Sequence, residues 1–488
     1  MPHTGGTKAP GTIASAMPLA LMLAVLGTII VSGNASLISE WSPFILLGAS
    51  LLSVTISLWC GSFTRRGMKV GFVRSARQIM PAVPMLVCIA MIAATWMLSG
   101  VVPLLISYGL SVLSPTFFLV LSAIVCGFIS VLTGSSWSTI ATIGVAFMGI
   151  GSVMGFHPGI VAGAIISGAY FGDKVSPLSD TTVISASTCG VDLFKHIRYM
   201  MITTFPAMLI ALMIFTGIGL AGANTAPGEA AEITARLQQN FNLTPWLLVI
   251  PVITFTLIAL KVNTLLTLFT SSMLGFAGIF VFQPQIVATL SDGSIAGFAS
   301  MALQVLWGEV GFSTGSEIFD NLVSTSGISG MMSTICLVLS AMLFGTAMIG
   351  TGMLGSLTNA LTRKLDKRFT LVSATAASGL VLNSCTADQY LSLIIGGNMF
   401  RTVYRRAGLE PRLLSRTLED SVSVTSVLIP WNSCGVTQST VLGVATLVYL
   451  PFCIFNWLSP LMSLLMAYTG FRIRQRGGMA AGGSLAKA

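Results

Sequence analysis

From Ile13 to Val31 the chain runs for 19 residues without a charged side chain, and apolar runs of similar length recur as far as residue 470. A helix needs about 20 mostly apolar residues to cross the hydrocarbon of a bilayer. Only 8% of the 488 residues are charged, against about 25% in ordinary soluble domains, so the chain cannot cover a soluble globule of its size. The sequence therefore predicts an all-α polytopic membrane protein and excludes a soluble enzyme, a disordered chain and a secreted scaffold. The eight cysteines are scattered with no CxxC pair, which predicts neither a disulfide framework nor a zinc site.

The net charge of +9 does not point to nucleic acid, because the basic residues are confined to short segments between apolar runs. Nineteen of the 24 Lys and Arg lie in five places: Arg65 to Arg77, Lys195 and Arg198, Arg363 to Arg368, Arg401 to Arg416, and Arg472 to Arg476. Basic residues concentrate on the cytoplasmic side of membrane proteins, so these segments and both termini are expected there. The histidines are His3, His157 and His196, the last in a basic loop, which argues against a histidine relay and leaves carboxylates or Lys to carry protons.

Spans are expected at 13–31, 44–59, 80–99, 199–222, 244–260, 263–282, 331–357 and 452–470, with Lys261 and Asn263 marking a short cytoplasmic turn. The first run reads as a retained helix, since Lys8 alone makes a poor basic flank for a cleaved signal. Residues 295–330, with Glu309, Glu317 and Asp320, are expected outside.

Two regions break this pattern. Apolar 369–383 and 390–400 flank the polar string Asn383, Ser384, Cys385, Thr386, Ala387 and Asp388, and both flanks end at basic segments. That reads as a re-entrant hairpin with its polar tip inside the membrane, which survives only where protein or water surrounds it. The first half repeats the plan: apolar 117–132, the string from Thr133 to Thr139, then apolar 140–155.

Each hairpin precedes a segment carrying carboxylates. Asp173 to Ser179 and Asp420 to Ser426 share the pattern D-x-V-S-x-x-S at an offset of 247, and Ser122-Ala123 matches Ser373-Ala374 at 251. Counting crossings gives the two halves opposite orientations. The expected organisation is a cytoplasmic terminus 1–12, a first inverted repeat 13–222, an external linker 223–243, a second repeat 244–470 and a cytoplasmic tail 471–488, with about ten spans and two hairpins. Inverted repeats with broken helices meeting at the midplane are the plan of secondary transporters. No GxxxxGK[ST] loop for nucleotide binding occurs in the chain, and no filter-like motif suggests a channel.

An Asp at a helix centre costs about 2.5–3.5 kcal/mol on insertion scales, so several such residues need compensation. The neighbours supply oxygen: Thr133, Ser135 and Ser136 at the first tip; Ser176, Thr181 and Thr182 around Asp173 and Asp180; Thr386 beside Asp388; Ser423 and Asn432 beyond Asp420. Hard cations take oxygen ligands, and burial disfavours a bare carboxylate, so such a site can hold Na⁺ and H⁺ in turn. Asp173, Asp180 and Asp420 are the expected Na⁺ ligands. Asp420 is preferred to Glu419 because the repeat pairs it with Asp173. Structural alternatives stay open: an ion pair with Lys174, helix caps at Asp180 and Asp388, and tip hydroxyls that satisfy only loop backbone.

The strings SGAYFGDKVSPLSDTT (167–182), TGSSWSTIATIGVAFMGIG (133–151) and SRTLEDSVSVTSVLIPWNSCG (415–435) resemble the NhaC family of sodium/proton antiporters in the wider ion-transporter superfamily. The resemblance covers most of residues 13–470. It implies a bacterial inner-membrane antiporter, not an enzyme, that exchanges cytoplasmic Na⁺ for external H⁺ without a cofactor; a homodimer stays open. It also extends to exchangers of small organic acids of the malate/lactate type and to sodium-coupled amino-acid carriers. In that reading Lys174 would face a substrate carboxylate.

Overall fold

The computed structural model describes residues 10–31, 36–222, 227–312, 319–320, 323–361 and 367–473. The expected terminus 1–9, Arg363 to Asp366, Glu317, the start of the linker at 223–226 and the tail from 474 onward lie outside the described residues.

The chain is helical from α1 (Thr12–Val31) onward: α2 (Ser36–Trp59), α3 (Arg65–Ile79), α4 (Ala82–Leu98), α5 (Val101–Val112), α6 (Pro115–Thr133), α7 (Ser136–Thr139), α8 (Val145–Val153), α9 (Pro158–Val175), α10 (Asp180–Cys189) and α11 (Leu193–Gly222). There follow α12 (Pro227–Asn240), α13 (Val249–Ala259), α14 (Thr264–Phe282), α15 (Pro284–Leu290), α16 (Ile295–Leu306), α17 (Met332–Gly350), α18 (Met353–Leu361), α19 (Arg368–Thr386), α20 (Gln389–Arg406), α21 (Pro411–Leu418), α22 (Ser433–Leu442), α23 (Thr446–Tyr449) and α24 (Ile454–Thr469). Among the described residues the β structure is a single antiparallel bridge between Val310 and Thr325. Among the described residues nine helices are long and apolar enough to cross a membrane, or up to twelve if each sharply bent pair is one span. Large apolar side chains such as Leu51, Phe128, Leu220 and Val281 stand exposed, as lipid-facing surfaces require.

The expected spans coincide with helices, with three differences. α3 runs on into α4, because Met80 and Pro81 both keep helical backbone angles. The 331–357 run is two helices, broken where Gly352 turns to φ +77°. α11 begins at Leu193, so His196 lies in a helix, fully buried, and its Nδ1 is 2.9 Å from the Ser415 hydroxyl.

The two halves repeat at a separation of 253, not 247. Helices start at Pro115 and Arg368, and again at Pro158 and Pro411. Left-handed residues end helices at Gly134 and Ala387, and at Gly190 and Gly443. Ser179 and Asn432 begin the helices that follow each break. In this register Asp173 corresponds to Ser426 and Asp420 to Ser167, so the D-x-V-S-x-x-S match is a chance local string. Helix ends fix the register because Pro at the first turn and Gly past the last are dictated by backbone chemistry.

Close backbone packing holds the broken helices in place. A Cβ on Gly168 would come within 2.1 Å of the Ala123 carbonyl oxygen, and one on Gly172 within 2.1 Å of that of Gly127, so α9 lies directly on α6. Small residues that let backbones touch are what helices in lipid associate through.

Candidate functional site

At the first hairpin tip, Gly134 takes φ +67° and Ser135 caps α7, its Oγ accepting from the Ser138 N–H at 3.2 Å. The Ser135 N–H donates to Thr133 Oγ1 at 3.3 Å, and the Thr139 hydroxyl donates to the Ser135 carbonyl at 2.9 Å. The second tip has the same wiring. Ala387 takes φ +55°, and Asp388 caps α20 by accepting from the Leu391 N–H at 2.8 Å. The Asp388 N–H donates to Thr386 Oγ1 at 3.3 Å, and the Ser392 hydroxyl donates to the Asp388 carbonyl at 2.8 Å. Each tip is a turn stabilised by its own hydroxyls, and the second carries a carboxylate where the first carries Ser135.

The tips meet the helix breaks. Ser136 donates to Asp173 Oδ2 at 2.8 Å, joining the first tip to the end of α9. The Ser433 N–H donates to the Ala387 carbonyl at 2.8 Å, and its hydroxyl reaches Asp388 Oδ2 at 3.4 Å, joining the second tip to the start of α22. Between them lies a cavity of about 410 Å³. Its polar wall includes Thr133, Ser135, Asp173, Asp180 and Thr181 from the first half and Asp388 with Ser433 from the second. Pro81, Met85, Lys261 and Asn263 also line it, and Lys261 and Asp180 are exposed. α4 and α14 are tied behind it, Trp96 Nε1 donating to Ser271 Oγ at 3.1 Å.

Several expected site residues stand elsewhere. Ser176 donates to the Val131 carbonyl at 2.7 Å and braces the break. Thr386 is buried behind the second tip. Asn432 caps α22 and donates to the Asn383 carbonyl at 3.1 Å. Ser423 is buried in the π-helical turn Glu419–Ser423. Asp180 is the first residue of α10, whose cap position is Ser179.

Asp420 does not line the cavity with Asp173 and Asp180. It forms a buried ion pair with Lys174, and its Oδ1 accepts from Thr203 at 3.1 Å and Ser459 at 3.4 Å. Lys174 also donates to Ser459 at 2.8 Å, so two of its three N–H donors are turned toward these partners, and it is not among the residues lining the cavity. The counter-charge expected for Lys174 is thus supplied by Asp420, not by Asp173 or a ligand. Among the described residues no three His, Cys, Asp or Glu side chains converge on one point, so a cation here would rest on few carboxylates and many hydroxyls.

Arg416, expected in a cytoplasmic basic segment, is fully buried, 3.8 Å from Asp420 Oδ2 and stacked 4.7 Å from the Tyr199 ring. Glu419 is fully buried as well, accepting from Ser185 at 2.8 Å. The spacing of Arg416 and Asp420, one helical turn apart, was the available sign that this charge belongs inside.

The sequence model of the Na⁺/H⁺ antiporter family matches residues 9–199 and 168–471. The chain is 37% identical over 390 residues to the Na⁺/H⁺ antiporter NhaC of Alkalihalophilus pseudofirmus, covering 80% of this chain and 82% of that one. It is 35% identical over 396 residues to the arginine/ornithine antiporter ArcD of Halobacterium salinarum, covering 80% and 79%. It is 31% identical over 437 residues to the malate-2H⁺/Na⁺-lactate antiporter of Bacillus subtilis, covering 89% of each.

Proposed function

This chain belongs to the Na⁺/H⁺ antiporter family, a family of multi-pass membrane transporters and not enzymes, and from that premise we propose that it exchanges cytoplasmic Na⁺ for external H⁺ at the cavity between its hairpin tips. One observation carries this reading: a single cavity is walled by a carboxylate from each half, Asp173 and Asp388, among hydroxyls and helix ends. Carboxylate and hydroxyl oxygens are the ligands a hard monovalent cation takes.

In this reading Asp173 and Asp388 face the ion, with Asp180, Thr181, Thr133 and Ser135 around it. Ser136 orients Asp173, and Ser433 orients Asp388. Asp420, Ser423, Asn432, Ser176 and Thr386 act behind the wall, holding the broken helices. The halves 13–222 and 244–470 are oppositely oriented repeats whose relative rocking opens the cavity to each side in turn. The rim at Lys261 and Asn263 faces the cytoplasm, as does Arg77, on the basic-residue rule, and the membrane is a bacterial inner membrane.

The test is flux in proteoliposomes with imposed Na⁺ and pH gradients. Addition of Na⁺ alone collapses a pH gradient in the wild type, and Asp173→Asn removes that response. Proton movement independent of Na⁺, or full activity in Asp173→Asn, rejects the reading.

A second reading has its own support. A cavity of about 410 Å³ is far larger than a bare ion and lies in the range of small-ligand sites, and two similar proteins are named as exchangers of amino acids or organic acids. Under it, Na⁺ or H⁺ moves against a small carboxylic or amino acid. Flux that requires labelled malate, lactate, arginine or ornithine on one side distinguishes it from Na⁺/H⁺ exchange.

A further inference from the structure

Behind the cavity, four charged side chains from both halves are buried in the protein core: Lys174 on α9, and Arg416, Glu419 and Asp420 on the end of α21 and its π-helical turn. None is more than 2% exposed. Burying charge is tolerated only when it is paired and hydrogen-bonded, so the way these four share partners is informative.

The sharing is uneven. Asp420 takes Lys174, Thr203 and Ser459, and has Arg416 beside it, so two cations and two hydroxyls surround it. Glu419 accepts from the Ser185 hydroxyl, has the Ser423 hydroxyl of its own turn beside it, and its Oε2 has no hydrogen-bond partner of ordinary geometry. Among the described residues no Lys, Arg or His stands within ion-pairing distance of it. The ionisable groups facing it are Lys174 and Asp173 from α9 and Cys189 from α10, with Arg416 and Asp420 on its own helix. Of the other elements against its turn, α19 carries Cys385 and, at the far end, Arg368; α24 carries Tyr468 and no charged residue; α20 carries Tyr390, Arg401, Tyr404, Arg405 and Arg406. Three nitrogens of Arg416 and Oδ2 of Asp420 also lack hydrogen-bond partners, so the neighbourhood has polar atoms for internal water to bridge.

We infer that Glu419 is the residue that carries the exchanged proton, separate from the carboxylates that face Na⁺. This rests on the Na⁺/H⁺ reading above and assigns the proton half of it. A proton from water adds to Oε2, the one carboxyl oxygen in the cluster with neither a cation beside it nor a hydrogen-bond partner of ordinary geometry, and the same proton returns to water when it leaves. With Glu419 ionised, the four groups sum to zero; with it protonated, they sum to +1.

Coupling follows from adjacency. Asp173 lines the cavity, while its chain neighbour Lys174 sits in the cluster that holds Glu419. Two like charges repel strongly where water is excluded. In the proposed coupling, a bare Asp173 carboxylate and an ionised Glu419 oppose each other. Na⁺ at Asp173 cancels that opposition, so the proton is released as the ion binds.

The experiment compares two fluxes through the full chain in proteoliposomes: pH change driven by a Na⁺ gradient, and exchange of labelled Na⁺ for unlabelled Na⁺ at equal pH. Glu419→Gln is expected to lose the first to background and keep the second. Retained proton coupling in Glu419→Gln overturns the assignment. A wild type that shows no Na⁺-dependent proton movement overturns the Na⁺/H⁺ reading instead. Should Glu419→Gln fail to fold, Ser185→Ala decides: removing this hydroxyl partner shifts the pH of half-maximal Na⁺/H⁺ exchange while Na⁺/Na⁺ exchange at its optimum persists, and an unmoved pH profile counts against the proposal.

Discussion

Lys174, near the end of the broken helix in the first half, and Asp420, in the π-helical turn of the second, form an ion pair whose side chains are 1% and 0% exposed. This contact joins the halves directly, one residue away from the cavity-lining Asp173. Its chemistry sets the first expectation for variants.

Removing one member of a buried pair strands the other charge, at a cost of about 3–5 kcal/mol. Lys174→Met and Asp420→Asn are each expected to lower the thermal melting temperature in detergent markedly, whereas the double variant recovers part of the loss. A double-mutant cycle measures this, and a coupling energy below about 0.5 kcal/mol would show that the two residues do not depend on each other.

Asp388 has two tasks that can be separated. Its carboxylate caps α20 through the Leu391 N–H and also faces the cavity. Asp388→Asn keeps a capping oxygen and removes the charge, so stability should change little while the Na⁺ concentration for half-maximal flux rises. Asp388→Ala also removes the cap, adding a loss of about 0.5–2 kcal/mol that a thermal-shift assay reads. Equal Na⁺ dependence in the wild type and Asp388→Asn would exclude this carboxylate from the ion's surroundings.

The two tips predict opposite results from glycine exchange. Ala387 holds φ +55° with a side chain present, a conformation that costs an L-residue roughly 1–2 kcal/mol. Ala387→Gly relieves that strain at the expense of unfolded-chain entropy, and is expected to be neutral or stabilising. At Gly134 the angle is φ +67° and an added Cβ would come within 2.7 Å of the Leu178 backbone. Gly134→Ala should therefore lower both melting temperature and flux, because it pushes the first tip off the α9–α10 break.

The side on which the cavity opens can be read by thiol labelling. With the exposed Cys60 and Cys336 first replaced by Ser, single Leu178→Cys and Asn263→Cys variants should react with an impermeant maleimide only from the cytoplasmic face. Labelling from the outside alone would reverse the assigned orientation.

Much of this was written in local chemistry. The spans, the polar tips at Thr133–Thr139 and Asn383–Asp388, and the turn at Lys261–Asn263 follow from hydropathy and turn residues, which act over a few neighbours. The repeat was legible too, but the string D-x-V-S-x-x-S misplaced its register by six residues. Pro158 with Pro411 and Gly190 with Gly443 were the better guides, because helix starts and stops obey backbone constraints that a short match of common residue types does not. Reading His196 as a loop residue, and Arg416 as part of a basic flanking segment and not as a buried charge, failed for a related reason. Sequence reports that a charge flanks an apolar run, not which way the helix turns it.

Composition and periodicity by themselves determined a polytopic helical protein whose two halves carry polar breaks in the membrane, because lipid forces every span to be apolar and leaves each break conspicuous. Tertiary structure alone decided how the acids divide. Asp173 and Asp388 face a shared cavity, Asp420 goes to Lys174, and Glu419 accepts from the Ser185 hydroxyl. Which charge finds which partner depends on side chains hundreds of positions apart meeting across the packed core, and no local pattern records that meeting.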